Sequence, residues 1–176
     1  MIELKNFTKL SCEESIMVLS WRNSPKVAPF MYNALISPKE HLEFLESLKT
    51  TCNKEYFLVY KGAIPIGVID FINIQIGNSC EFGIYANPNL KGYGVILMET
   101  LLDYAFNTLK VKELKAQVQS ENIKAINLYS KFGFKNVCKK IINNKKMNLI
   151  KLDSVFYSGG GGNNLLVAPF SSSLVA

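Results

Sequence analysis

The order of hydrophobic and polar positions divides the chain into segments with the period of strands and segments with the period of helices. Residues 2–7 predict a short first strand. Residues 12–20 predict a helix with Ser11 as its N-cap, because a serine hydroxyl can accept a hydrogen bond from a free amide of the first turn. Residues 21–25, Trp-Arg-Asn-Ser-Pro, are typical of a turn.

The second predicted helix has a clear start. Ser37 is suited to the N-cap, Pro38 to the first helical position, and Glu40 completes a capping box with the serine. Four residues then recur on one helical face: His41, Phe44, Leu45 and Leu48. Because His41 and Phe44 share this face, they can line one pocket.

Three strand-like segments follow, separated by turn residues. Residues 56–60 are aromatic and β-branched, residues 66–73 are mostly apolar, and residues 80–85 alternate. Lys61-Gly62 and Gly77-Asn78 supply the turns between them. The spacing predicts an antiparallel meander.

Residues 93–109 predict the longest helix of the chain. Its apolar stripe is formed by Val95, Met98, Leu102, Ala105 and Leu109. Residues 114–118 alternate and predict the strand that follows.

The C-terminal part predicts one more helix and two more strands. The helix covers residues 122–132, and Gly133 suits the left-handed position that often follows a helix. Strands are expected from Phe134 onward and over residues 147–157. Residues 158–176 begin with a serine and four glycines and continue without a period, which predicts a flexible or appended tail.

The composition is that of one folded domain, which we assign to residues 1–157. The chain has 176 residues, of which 48% are hydrophobic and 19% charged. No apolar run reaches the roughly 18 residues of a membrane span. The N-terminus lacks the apolar region of a signal peptide. We therefore expect a cytoplasmic protein with no membrane partner.

The formal charge of +6 leaves three interpretations open: a nucleic-acid partner, a solvated basic surface, or a small polyanionic ligand such as a nucleotide or CoA. No run of five basic residues occurs, so we expect no nucleic-acid partner. The single histidine and the lack of a C-x-x-C pair argue against a metal site. Four reduced thiols are expected: Cys12, Cys52, Cys80 and Cys138.

Residues 89–95 carry the main chemical signal. Gly92 and Gly94 allow the backbone to approach a bulky ligand closely. The free amides at the start of the long helix lie at the positive end of its dipole, where a pyrophosphate can bind, and Lys91 adds a full charge. A tight helix-entry turn is the alternative. Neither a Walker loop nor a complete Rossmann fingerprint is present.

A second segment, residues 120–134, follows this turn by about 30 residues and resembles the core of GNAT acetyltransferases. Asn122 opens its helix, and Tyr129 stands near the end, before Gly-Phe. The resemblance covers residues 55–157. It implies the GNAT fold, an α/β (α+β) architecture with a mixed, mostly antiparallel sheet of about seven strands and about four flanking helices. The fourth and fifth strands would splay apart.

The resemblance also implies a site for acetyl-CoA as the co-substrate, with no metal. Pyrophosphate and pantetheine contacts would come from Ile84, Lys91, Gly92, Tyr93, Gly94, Val95, Asn122 and Tyr129. Tyr129 would protonate the leaving thiolate, and a fourth-strand amide near Ile84 would hold the oxyanion. Glu81, Asp70 and His41 are candidates for the base, and Glu81 on the fourth strand is the residue assigned.

The N-terminal third is similar to the acetyltransferases of pseudaminic acid biosynthesis, a pathway that serves flagellin glycosylation. The resemblance rests on residues 21–25, 31–32 and 41–45 and covers residues 1–135. It implies transfer to the 4-amino group of a UDP-linked 4-amino-4,6-dideoxy-N-acetylhexosamine in a ternary complex. The implied substrate contacts are Arg22, Met31, Tyr32, His41, Phe44 and Tyr85.

Other functions stay open. Trp-Arg-Asn at residues 21–23 also occurs in GNAT enzymes that acetylate protein N-termini, and another small amine is a further alternative. A GNAT-like module that binds acetyl-CoA without catalysis is a third, and a basic nucleic-acid-binding protein ranks last. Whether the protein forms a homodimer is left open by the sequence.

Overall fold

The computed structural model describes residues 1–33 and 35–157, which form a seven-stranded sheet with helices on both faces. The strands are β1 (Ile2–Asn6), β2 (Glu55–Lys61), β3 (Ile64–Gln75), β4 (Ser79–Ala86), β5 (Glu113–Gln119), β6 (Lys135–Ile142) and β7 (Lys145–Asp153). The helices are α1 (Cys12–Arg22), α2 (Pro38–Leu48), α3 (Gly94–Asp103) and α4 (Ile123–Lys131). The predicted tail, residues 158–176, lies outside the described residues.

The strands are ordered β1-β2-β3-β4-β5-β7-β6 across the sheet. Strands β4 and β5 are parallel, and all other neighbours are antiparallel. The meander predicted from residues 56–85 is β2-β3-β4. The mixed, mostly antiparallel sheet expected from the sequence is therefore confirmed.

Side chains alternate between the two faces of the sheet, and each face has its own hydrophobic cluster. Phe57 and Val59 of β2 join the larger cluster with α3 and α4. Leu58, between them, joins a smaller cluster with α1 and α2, in which Trp21 and Leu48 are buried. The sheet thus separates two layers of helices, as in a three-layer α/β domain.

The starts of α1 and α2 are confirmed. Ser11 and Ser37 accept hydrogen bonds from the amides of Glu14 and Glu40, at 3.2 and 3.1 Å, and both capping boxes are complete. The prediction of a turn from Trp21 was wrong: α1 continues to Arg22 because the Trp21 ring is buried in the smaller cluster.

The predicted helix over residues 93–109 is α3 followed by one π-type turn, Tyr104–Thr108. Its buried face runs through Leu97, Met98, Leu101 and Leu102, which pack on β3 and β4. Val95, predicted to belong to the apolar stripe, falls outside this face and is 46% exposed.

The C-terminal elements follow the prediction with one correction. Gly133 has φ +87°, as expected of the residue that ends α4. β7 ends at Asp153, so the prediction of a strand to residue 157 was wrong. There the Ser154 amide donates to the Lys112 carbonyl (2.8 Å), and Ser154–Phe156 form a 3₁₀ turn. No helix within residues 1–33 and 35–157 has the length and hydropathy needed to cross a bilayer.

Candidate active site

Strands β4 and β5 pair only at their first residues. The register joins Ser79 to Glu113, Cys80 to Leu114 and Glu81 to Lys115, and no later pair forms. β4 nevertheless continues to Ala86 and β5 to Gln119, each still paired on its outer side. A wedge-shaped gap therefore opens between the two strands in the middle of the sheet, as the family resemblance implied.

The backbone of Ile84 points into this gap. The Asn87 amide donates to the Ile66 carbonyl of β3 (2.9 Å), and the β3–β4 register is unbroken from there back to Glu81. Backbone groups alternate in direction along a strand, so the N–H and C=O of Ile84 face away from β3. The edge of the gap thus offers an unpaired amide and carbonyl to an extended ligand.

The start of α3 lies beside the open end of β4. Gly92 has φ +85°, and a Cβ at this position would meet no atom within 4 Å. The first amide of the helix to find an acceptor is that of Leu97, which donates to the Tyr93 carbonyl at 3.0 Å. Within the described chain, the amides of residues 92–96 have no acceptor. Bare amides at a helix N-terminus form an anion site, and Lys91 beside them is exposed.

Helix α4 contributes two of the predicted site residues. The Asn122 side-chain oxygen caps the helix by accepting from the Ala125 amide (3.2 Å), so its NH₂ group stays available to a ligand. Tyr129 is 8% exposed, and its ring packs edge-on against Phe82. Its hydroxyl has no hydrogen-bond partner within residues 1–33 and 35–157. Burial, and then the charge of Asp70, raise the pKa of Tyr129, so the phenol stays protonated.

Asp70 of β3 lies opposite Gly83 of β4. A Cβ at Gly83 would lie 2.3 Å from the Asp70 Oδ2 atom, so the carboxylate occupies the space that a side chain would fill. Burial raises the pKa of Asp70 to about 7, although the Gly83 amide lowers it in part. The charge of Asp70 also raises the pKa values of Tyr56 and Tyr85, after burial itself.

The other two base candidates are held by protein groups. The Asn73 side-chain amide donates to the Glu81 Oε2 atom (2.8 Å) at the closed end of the gap. His41 is buried between α1 and α2, where its Nε2 donates to the Ser15 carbonyl (3.1 Å) and burial lowers its pKa. In the part of the chain that is described, no three acidic, cysteine or histidine side chains come together as a metal site.

The remaining predicted substrate contacts lie on the face of α1 and α2. Arg22 is half-buried, donates to the Asn33 carbonyl, and partly offsets the pKa shift of Tyr85 by its charge. The Phe44 ring meets the Tyr56 ring edge-on at 4.9 Å. Met31 and Tyr32 lie in the loop between the two helices, where Tyr32 is exposed.

Two polar side chains that sequence reasoning missed hold this loop across the gap. Lys26 donates to the Pro88 carbonyl after β4 (2.6 Å), and the buried Gln119 of β5 donates to the Pro29 carbonyl (3.0 Å). Each contact joins positions far apart in the sequence, so no local pattern could indicate it. Gly83 was also missed, although a glycine inside a strand often marks a close approach.

The family model and the relatives that match this chain are all acetyltransferases. A model described as an acetyltransferase (GNAT) domain matches residues 6–135. Acetyltransferase PseH of Campylobacter jejuni subsp. jejuni (strain 81-176) is 50% identical over 134 residues, 76% of this chain and 85% of that protein. PseH of strain ATCC 700819 / NCTC 11168 is 48% identical over 134 residues, with the same coverage.

The solved structures that resemble this chain include N-acetyltransferases as well. The crystal structure of Campylobacter jejuni N-acetyltransferase PseH in complex with acetyl coenzyme A has a TM-score of 0.73 at 41% identity, and covers 87% of this chain and 99% of that one. Spermidine N-acetyltransferase from Vibrio cholerae, in complex with CoA and spermine, has a TM-score of 0.76 at 22% identity. That match covers 88% of this chain and 96% of the other and bears on the fold alone.

Proposed function

Because this chain belongs to the GNAT acetyltransferase family, we propose that it acetylates the 4-amino group of a UDP-linked 4-amino-4,6-dideoxy-N-acetylhexosamine. It is an acetyl-CoA-dependent N-acetyltransferase, and the family resemblance of the glycine turn and residues 120–134 is confirmed. The proposed reaction belongs to pseudaminic acid biosynthesis and thereby serves flagellin glycosylation. Both proposed substrates are cytoplasmic metabolites, which supports a cytoplasmic location.

The acetyl-CoA site rests on one main observation, the bare amides of residues 92–96 beside an open gap. These amides, with Lys91, suit a pyrophosphate. The pantetheine arm can lie between β4 and β5 as an added strand, pairing with the backbone of Ile84. The NH₂ group of Asn122 can donate to one of the amide carbonyls of that arm. Acetyl transfer would then occur where the gap narrows.

The chemistry follows from the groups at the gap. The amine nitrogen attacks the thioester carbonyl carbon, and the Ile84 amide stabilises the oxygen that becomes negative. The C–S bond then breaks, and Tyr129 donates its phenolic proton to the thiolate. A carboxylate must accept the proton that the amine loses. Glu81 of β4, assigned from the sequence, and Asp70 of the neighbouring β3 are the candidates for this role.

The acceptor site is proposed on the face of α1 and α2. A guanidinium suits a diphosphate, and Arg22 and Tyr85 lie together there. The exposed Tyr32 ring, with Met31 in the same loop and Phe44 on α2, suits a uracil base. His41 stays a predicted contact, although its Nε2 is bonded to Ser15. A homodimer also stays a proposal, which light scattering would test.

The function is tested by thiol release from acetyl-CoA against a panel of amino-sugar nucleotides, N-terminal peptides and polyamines. We expect turnover with the 4-amino UDP-sugar and little with the others. Turnover with peptides alone would move the assignment to protein N-terminal acetylation. Acetyl-CoA binding without turnover of any amine would favour a module that binds the coenzyme without catalysis.

The coenzyme site has a matched pair of variants. Gly92 and Gly62 both have positive φ (+85° and +60°), and a Cβ at either meets no atom within 4 Å. Alanine at each should cost about 1 kcal/mol in backbone strain. We expect Gly92→Ala to weaken acetyl-CoA binding in calorimetry at least fivefold and Gly62→Ala to leave it unchanged. Equal affinities of the two variants would place the pyrophosphate elsewhere.

A further inference from the structure

Asp70 is a half-buried carboxylate that the fold does not use. It follows Ile69 and precedes Phe71, both fully buried on the opposite face of β3. Within residues 1–33 and 35–157, no cationic side chain forms an ion pair with it, and no side chain donates a hydrogen bond to it. Enclosing a carboxylate that has a backbone amide, that of Gly83, but no side chain as its donor costs stability, and such groups concentrate at functional sites.

The position of Asp70 relates it to the reacting atoms. Its side chain lies over Gly83, and the next residue, Ile84, directs its amide into the gap. The carboxylate is therefore close to the place where the thioester oxygen would be held. Its charge also reaches the Tyr129 phenol from across the opening in the sheet. A proton acceptor and a proton donor are thus close enough for the charge of one to change the pKa of the other.

The groups that face Asp70 come from four elements. Tyr56 of β2, Tyr85 of β4 and Tyr129 of α4 each have a pKa raised by burial and by the Asp70 charge. Arg22 of α1 acts on Tyr85. The three phenols are uncharged at neutral pH, so Asp70 is the group in this cluster that gains or loses a proton there.

We propose that Asp70 is the base that takes the proton from the acceptor amine, directly or through one water. The proposal rests on the proposed acetyl transfer. As the uncharged amine forms the N–C bond, its nitrogen becomes positively charged and loses one proton to the Asp70 carboxylate; as the C–S bond breaks, Tyr129 protonates the thiolate. The phenolate of Tyr129 then regains a proton from the Asp70 carboxyl. The net change moves one proton from nitrogen to sulfur and restores both residues.

The test measures kcat at saturating amine and acetyl-CoA from pH 5.5 to 9 for the wild type and three variants. Asp70→Asn keeps the shape of the side chain but cannot accept a proton. Asp103→Asn, at the end of α3 farthest from Gly94, is the matched control. Glu81→Gln tests the competing base. A general base contributes about 10²–10⁴-fold, so we expect at least a 100-fold loss in Asp70→Asn.

The wild-type rate should rise through about pH 7, as the Asp70 pKa requires, and the rise should disappear in Asp70→Asn. A rate within threefold of wild type would overturn the proposal. A lower rate in Asp70→Asn with the pH dependence of the wild type would also overturn it, because it would indicate a structural role. A larger loss of rate in Glu81→Gln than in Asp70→Asn would overturn it as well. The ratio of variant to wild type is taken with whichever amine the wild type acetylates. If the wild type acetylates another amine but not the UDP-sugar, the proposed acceptor is wrong, and the proposal for Asp70 is still tested.

Discussion

A methyl group at Gly83 would collide with the Asp70 carboxylate. The added Cβ would lie 2.3 Å from Oδ2, about 1.1 Å closer than the 3.4 Å at which ordinary contacts begin. Gly83 does not have a positive φ, so Gly83→Ala adds no backbone strain and acts through this collision. The carboxylate must shift by about 1 Å, and a misplacement of that size costs about 100-fold in rate. We expect kcat to fall by this factor and the affinity for acetyl-CoA to stay unchanged.

A double-mutant cycle isolates the contact. In an Asp70→Ala background the collision is absent, so adding Gly83→Ala should change kcat less than threefold. Thiol release gives the rates, and urea denaturation controls for overpacking, which costs about 1–3 kcal/mol. An equal loss of kcat from Gly83→Ala in both backgrounds would refute the reasoning, because the methyl group would then act through the strand.

Three further outcomes follow from the site. Tyr129→Phe removes a hydroxyl without a partner in the described chain, so kcat should fall about 10²-fold or more while acetyl-CoA affinity and urea stability change little. Gln119→Leu removes the shorter of the two hydrogen bonds to the Pro29 carbonyl and leaves the 3.4 Å bond from Lys145, so KM for the amine should rise about tenfold, a loss of about 1.4 kcal/mol, with an unchanged KM for acetyl-CoA. Burial raises the pKa of Asp70 from 3.8 to about 7, so the folded state binds that proton more tightly than the unfolded state. This contribution to the free energy of unfolding is full below pH 3.8 and is lost as the pH rises towards 7, by at most about 4 kcal/mol. The free energy of unfolding of Asp70→Asn, measured by urea titration, should not show this loss.

Local signals predicted the elements of the fold, and tertiary packing decided where they end. The Ser11 and Ser37 caps depend on residues within one turn, so the sequence alone indicates both helix starts. Trp21 was misplaced because its burial against the sheet extends α1. Val95 was misplaced because the face of α3 that meets β3 and β4 is set by the sheet rather than by the helix period.

The residues of the candidate site also divide into those that the sequence indicates locally and those that only the tertiary structure brings together. The glycine turn and Asn122 act through backbone groups and a cap, which leave a pattern in sequence. Asp70 was one of three base candidates in the sequence, which assigned Glu81 instead, because the Asn73 hydrogen bond to Glu81 is not visible in sequence. Gln119 left no pattern, since its partner Pro29 is 90 residues away.

The charge of Asp70, the proposed base, also affects Tyr129, the proposed acid. Beyond the effect of burial, the negative charge of Asp70 raises the pKa of Tyr129, so Tyr129 is a weak acid until the attacking nitrogen has given its proton to Asp70. When Asp70 takes the amine proton, that charge disappears and Tyr129 becomes a stronger acid as the thiolate needs its proton. Asp70→Asn should therefore lower the pH at which Tyr129 ionises. NMR of tyrosine labelled at the ring carbon next to oxygen would measure this shift, with Tyr129→Phe assigning the signal. An unchanged ionisation in Asp70→Asn would mean that the two groups do not act on each other.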